Sequence, residues 1–232
     1  LTPEHILKQE LLLNQLIVDI HLLQLDFLNS DAREQMLDHL AILDKTIPAL
    51  PRQAVDGEIT DLLTATLALW PVISRHTLWI SKLPPQSPVP EATTLLLALA
   101  KLDRQLLLLR QKMLTSNPKK SQELNFLEQA LLMQRLSREY LSLTVSSKEQ
   151  EESTTGRTQL QTLALHFGQR LERMSKQFRQ HPHAGRPIRQ AHAAWQFIAG
   201  NIATFPQQPV PEMVALYTDR IVSKLQSVHQ MF

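Results

Sequence analysis

The sequence predicts an all-α protein, and three observations lead there. Apolar residues, leucine above all, recur three and four positions apart along most of the chain, the spacing that lines one face of a helix. Only 5 of the 232 residues are glycine and 2 are tyrosine, whereas Leu, Gln, Ala, Arg and Glu dominate, residues that lose little rotamer freedom in a helix. The 14 prolines are then expected at helix ends, where a missing N–H does least harm.

Taken in order, Thr2-Pro3-Glu4 reads as a cap followed by proline at the first helical position, and Leu7, Leu11, Leu12, Ile17, Leu22, Leu25 and Leu28 carry a first helix over about 3–29. Ser30-Asp31 is expected to cap a second over 31–47, with Leu37, Leu40, Leu43 and Ile47 on one face, stopped near Pro48 and Pro51. Asp56 begins a third that reaches Leu83, kinked at Pro71 and ended by Pro84-Pro85. A fourth opens at Pro88 and ends near Ser116, before Asn117-Pro118. The fifth covers 121–147, and the polar stretch SSKEQEESTT, residues 146–155, reads as a solvated connection. The sixth takes 157–180, His181-Pro182-His183-Ala184-Gly185 is a loop, the seventh takes 187–204, and the eighth starts at Pro209 and runs to the end.

The tetrapeptide PVPE occurs twice, at 88–91 and 209–212, and it belongs to a longer pattern. Gln15, Leu40, Trp70 and Pro88 come in the same order as Gln134, Leu163, Trp195 and Pro209, at comparable intervals. The stretches LLLNQL and ALLMQR are alike, as are LLTATLALW and IRQAHAAW. The expectation is therefore two up-down four-helix-bundle modules, residues 3–116 and 121–232, a tandem arrangement of one unit used twice.

Composition narrows the function classes. Residues 1–116 hold 10 basic and 13 acidic side chains and residues 117–232 hold 14 and 9, a modest polarity without the concentrated basic face and interleaved aromatics of a nucleic-acid binder. With 0 cysteines there is neither a disulfide scaffold nor a thiolate zinc site. No nucleophile elbow or phosphate-cradling glycine loop is present, and no Glu-x-x-His pair offers the ligands of a bundle metal site, so neither an enzyme nor a cofactor is expected. His181 and His183 flank a proline without an evident third ligand, which reads as a polar loop in preference to a metal site. His5 precedes Lys8 with the spacing of a phosphotransfer helix, but Gln9 stands where a glycine would follow. Trp70, Trp79 and Trp195 fall within apolar helical patterns and are expected in the core. Arg170, Arg173, Arg186 and Arg189 give the sixth and seventh helices a basic side, either plain surface or a landing place for an acidic partner.

The stretch NFLEQALLMQRLSREYL, residues 125–141, is followed by an amphipathic helix, a helix with a central tryptophan, and a last helix ending IVSKLQSVHQMF. In this order of elements the chain resembles the PilJ-type sensor module of type IV pilus chemotaxis transducers, which is related to the sensor domains of the nitrate kinases NarX and NarQ. The resemblance implies a periplasmic sensor domain of an inner-membrane receptor, a chemotaxis transducer or histidine kinase. Such receptors work as homodimers and respond to a small anion or to a periplasmic or pilus protein. The family's first helix carries a stretch like G-x-x-R-M-x-S-x-R. Arg135 matches its later arginine, but Ala130 and Leu127 stand at the earlier arginine and the glycine, and Leu16 takes the arginine position in the first copy. What carries over is thus the architecture and sensory role and not nitrate binding.

Arg135 and Arg138, three apart on a leucine-rich helix, can point together at a cleft and hold a carboxylate, or form a solvated face. Gln134 beside them, and its counterpart Gln15 in the first copy, complete the expected ligand-binding set. The start at Leu1 and the lack of a run of about 18 apolar residues predict an excised domain whose membrane helices lie outside it. The alternative expectation is a soluble helical scaffold that binds other proteins.

Overall fold

The computed structural model describes residues 1–26, 28–51, 56–83, 92–115, 124–148, 154–205 and 207–232. Among them the protein is all-α, with helices α1 (Pro3–Leu25), α2 (Ser30–Thr46), α3 (Gly57–Ser81), α4 (Ala92–Thr115), α5 (Asn125–Lys148), α6 (Thr154–Gln177), α7 (Gly185–Ala203) and α8 (Pro211–His229). The chain divides into two compact units, Leu1–Gln122 and Glu123–Phe232. No described helix is long and apolar enough to cross a membrane.

In the first unit α1 packs on α2 and α4, and α3 packs on α4 and, less extensively, on α2. The polar links fix the directions. Thr46 donates to Gln9 at 2.8 Å and His39 donates to Asp19 at 2.7 Å, so α2 runs antiparallel to α1. Arg33 at the start of α2 donates to the Ser81 carbonyl at the end of α3 at 2.6 Å, and Lys112 near the end of α4 pairs with Glu58 in the first turn of α3. Caps follow the sequence at α1 and α3, where Thr2 and Asp56 accept backbone N–H groups of the first turn. At α2 the cap is Asn29, whose side chain accepts from the Ala32 N–H at 2.9 Å, one residue before the expected Ser30-Asp31.

Three expectations about faces need correction. On α3 the buried stripe is Leu63, Thr66, Trp70, Ile73, Thr77 and Ile80. Trp79 lies nine residues beyond Trp70, half a revolution away at 100° per residue, and is 43% exposed, so it is a surface residue. On α2 the inner face is Ala32, Met36, Leu40 and Leu43, and Leu37 points outward. Leu28 falls beyond the end of α1 and is also exposed. Pro71 lies within α3, on its exposed side, where water can reach a carbonyl deprived of its donor, and the helix continues past it.

In the second unit α5 packs on α6 and α8, and α7 packs on α6 and α8. Phe126 at the start of α5 stacks on Phe232 with ring centroids 5.8 Å apart, while the Val210 N–H ahead of α8 donates to the Tyr140 hydroxyl at 3.0 Å. These contacts bracket an antiparallel α5 and α8. Trp195 on α7 is buried edge-on against Phe167 of α6 at 4.8 Å, and Trp70 sits on α3, so each of these tryptophans is on the third helix of its unit. Gly185 closes the turn from α6 to α7: a Cβ there would lie 2.7 Å from the Phe178 carbonyl oxygen, so a side chain would have to displace backbone.

The second PVPE begins α8, with Pro211 as its first residue, while the first PVPE, 88–91, lies outside the described residues. So does the centre of the expected solvated connection, 149–153. Its flanks are helical, because α5 extends to Lys148 and α6 starts at Thr154.

Candidate functional site

The middle of α5 shows how the sequence-predicted residues are placed. Viewed down the helix, Phe126, Met133, Ser137, Tyr140 and Thr144 share the stripe that meets α8, and all are buried. Gln134, one turn before Ser137, is completely buried as well. Neither its amide oxygen nor its amide nitrogen has a hydrogen-bond partner among the described residues, and the same holds for the Ser137 hydroxyl. On α8 the Thr218 hydroxyl is also buried without a partner. Gln134, Ser137 and Thr218 all fall between the two contacts that bracket α5 and α8. Ser137 on the stripe that meets α8 and Thr218 on α8 are thus two buried hydroxyls with unmet hydrogen-bonding capacity, and Gln134, about 60° round α5 from Ser137, adds a buried amide. Each such group, buried unpaired, costs about 1–3 kcal/mol.

Arg135 and Arg138 lie around the helix from this stripe. Both are half-buried and both already have partners. Arg138 also faces competition from its neighbour, since burial raises the pKa of Glu139 while the Arg138 cation lowers it. Any incoming anion must contend with that carboxylate. Gln15, on α1 of the first unit, is half-buried.

The corresponding seam of the first unit has a different chemistry that sequence reading missed. Glu10 on α1 is fully buried and accepts from Arg110 Nε on α4 at 2.5 Å. One turn further along α1, Asn14 donates to Asp103 of α4 at 2.9 Å and to the Glu10 carbonyl at 2.7 Å. Two carboxylates, one guanidinium and one amide therefore bridge α1 and α4 inside an otherwise leucine-rich interface. Taking charges out of water is offset only when they are paired and hydrogen-bonded, which these are.

The remaining motifs have structural employment. His181 accepts the Ala184 N–H at 3.1 Å, and its ring packs against Phe178 and Phe232, so it shapes the α6 to α7 loop. Arg189 donates to the Arg179 carbonyl and Arg170 approaches Glu128 at 3.8 Å, which ties two of the four arginines of the basic side to their own unit. His5 is exposed and hydrogen-bonded to the capping Thr2. Among the described residues no group of three or more His, Cys, Asp or Glu could hold a metal ion. Comparison with protein-family models, with curated proteins and with solved structures found no match for this chain.

Proposed function

We propose that this chain is the extracytoplasmic sensor domain of a bacterial membrane receptor, a chemotaxis transducer or histidine kinase, in which a bound signal changes how the first and fourth helices of a unit pack. The observation that carries the reading is that Gln134 and Ser137 of α5 and Thr218 of α8, on two helices that pack together, are buried without partners among the described residues. A seam whose polar groups are unsatisfied is not at a deep packing minimum. A small rotation or slide that supplies them with partners, or a ligand that does so, has a free-energy return of its own. Shifts of about 1–2 Å between packed helices are the usual currency of such transitions. The similarity of the 125–141 stretch to PilJ-type modules, and the same placement of Trp70 and Trp195 on third helices, support the sensory and duplicated character of the chain.

The test concerns location. Alkaline phosphatase, which folds to activity only outside the cytoplasm, is fused after Phe232 in the native gene and compared with β-galactosidase at the same point. Active phosphatase with silent galactosidase is the expected result. The reverse pattern overturns the proposal and favours a scaffold that binds proteins inside the cell.

A further inference from the structure

Apart from the α5 and α8 seam, the second unit carries a groove along the outer side of α7 and α8. Gln190, Ala193, Ala194 and Phe197 of α7 form one side, spaced as a helical stripe, and Tyr217, Arg220 and Lys224 of α8 form the other; the space between measures about 350 Å³. Phe197 stacks on Tyr217 at 4.6 Å and 16°, which pairs these residues across the groove and sets α7 and α8 antiparallel, with Gln190 and Lys224 at the opposite end. The groove is thus aromatic at one end, floored by alanine methyls in the middle and cationic toward the other end. Seven residues of helix separate its ends, about 10 Å.

The cations are poised and not neutralised. The Arg220 guanidinium carbon lies 4.9 Å from the Tyr217 ring centroid, so the group rests on the face of the ring. A guanidinium stacked in this way keeps its N–H donors, which lie in its own plane, directed at its surroundings, and stacking reduces the freedom it must lose on binding. No carboxylate lines the groove, and neither Arg220 nor Lys224 is paired with one among the described residues. Phe197 remains 57% exposed even with one side stacked on Tyr217, so it adds open apolar surface to the groove.

The geometry points to a binding site for a small organic acid that joins one aromatic ring to a carboxylate through a short chain. The ring lies on Ala193 and Ala194 against Phe197, and the carboxylate meets Arg220 with Lys224 behind it. The volume suits a small ligand, at the lower end of the roughly 300–1,000 Å³ usual for such sites. This site is distinct from Gln134 and its neighbours and does not depend on the sensor reading.

The probe is 3-phenylpropionate, titrated calorimetrically into the 232-residue chain, with neutral 3-phenylpropionamide as comparator. Two variants at exposed or half-exposed positions test the placement, Arg220→Gln to remove the charge and Ala194→Leu to fill the floor, each checked for unchanged helicity by circular dichroism. The expected result is binding of the acid that weakens at least fivefold for the amide and for Arg220→Gln, and that Ala194→Leu abolishes. Equal affinity for acid and amide overturns the proposal, as does binding indifferent to both substitutions. No heat of binding from the acid at concentrations up to about 10 mM, beyond the range of even weak specific ligands, also overturns it.

Discussion

Replacing Gln134 by leucine should stabilise the second unit, although it removes a polar side chain from a position that looks functional. Gln134 is 0% exposed, and its two amide atoms lack partners among the described residues. Leucine is of similar bulk, needs no hydrogen-bond partner, and is at least as good a helix former. The gain is the removal of an unpaired buried group, about 1–3 kcal/mol, reduced by whatever strain the branched side chain introduces. For a unit of this size a change of 1 kcal/mol moves the thermal midpoint by roughly 4 °C, so an increase of about 4–12 °C is expected in the transition that includes α5 and α8. Circular dichroism at 222 nm follows the transition, and urea denaturation supplies an independent free energy. Ser137→Ala, which removes a buried hydroxyl that also lacks a partner, should move the midpoint the same way by less. A lowered midpoint for Gln134→Leu would refute the reasoning, because it would mean that the amide is satisfied in solution, for example by an ordered internal water.

Two further outcomes follow from the buried charges. Arg110→Ala leaves the fully buried Glu10 without its guanidinium and should destabilise the first unit by about 3–5 kcal/mol, whereas the double variant Glu10→Leu with Arg110→Met should recover most of that loss in urea denaturation. Glu139 has its pKa raised chiefly by burial, so its folded form holds a proton more tightly than its unfolded form. Its contribution to stability is therefore present at acid pH and lost as pH rises through the folded pKa. Glu139→Gln should accordingly gain on the parent protein in denaturant midpoint as the pH is raised from the acid range toward neutrality, and parallel pH curves for the two proteins would count against this account.

Most of the fold was legible because its determinants are local. The stripe from Leu63 to Ile80, the caps at Thr2 and Asp56 and the proline that opens α8 are each written within a few residues. The pattern misleads where several faces of one helix carry large apolar residues. Trp79 and Leu37 fit a loose helical pattern yet lie off the buried stripe, and only the angular offset from Trp70 or Leu40 distinguishes them. The site was less legible. Glu10 and Arg110 are one hundred residues apart in sequence, and each looks like a solvated charge in a leucine run; only the antiparallel pairing of α1 and α4 brings them together. The place of Gln134 beside Arg135 is visible in the sequence, but its burial and lack of partners depend on neighbours from other parts of the chain. The groove had a partial signal, since Tyr217 and Arg220 are one turn apart on α8, but its opposite wall comes from α7.

The pairing of Glu10 with Arg110, flanked by Asn14 with Asp103, acts as a key cut for one register of α1 against α4. Sliding either helix by a turn, about 5.4 Å, would strand two carboxylates and a guanidinium in a hydrocarbon interior, so that interface has a single tooth position. In the second unit the buried polar groups of Ser137 on α5 and Thr218 on α8 are uncharged hydroxyls without partners among the described residues, which a slide would not strand as it would an ion. The first unit thus carries inside its own core a lock that resists displacement along the helix axis more strongly than interdigitated leucines alone would.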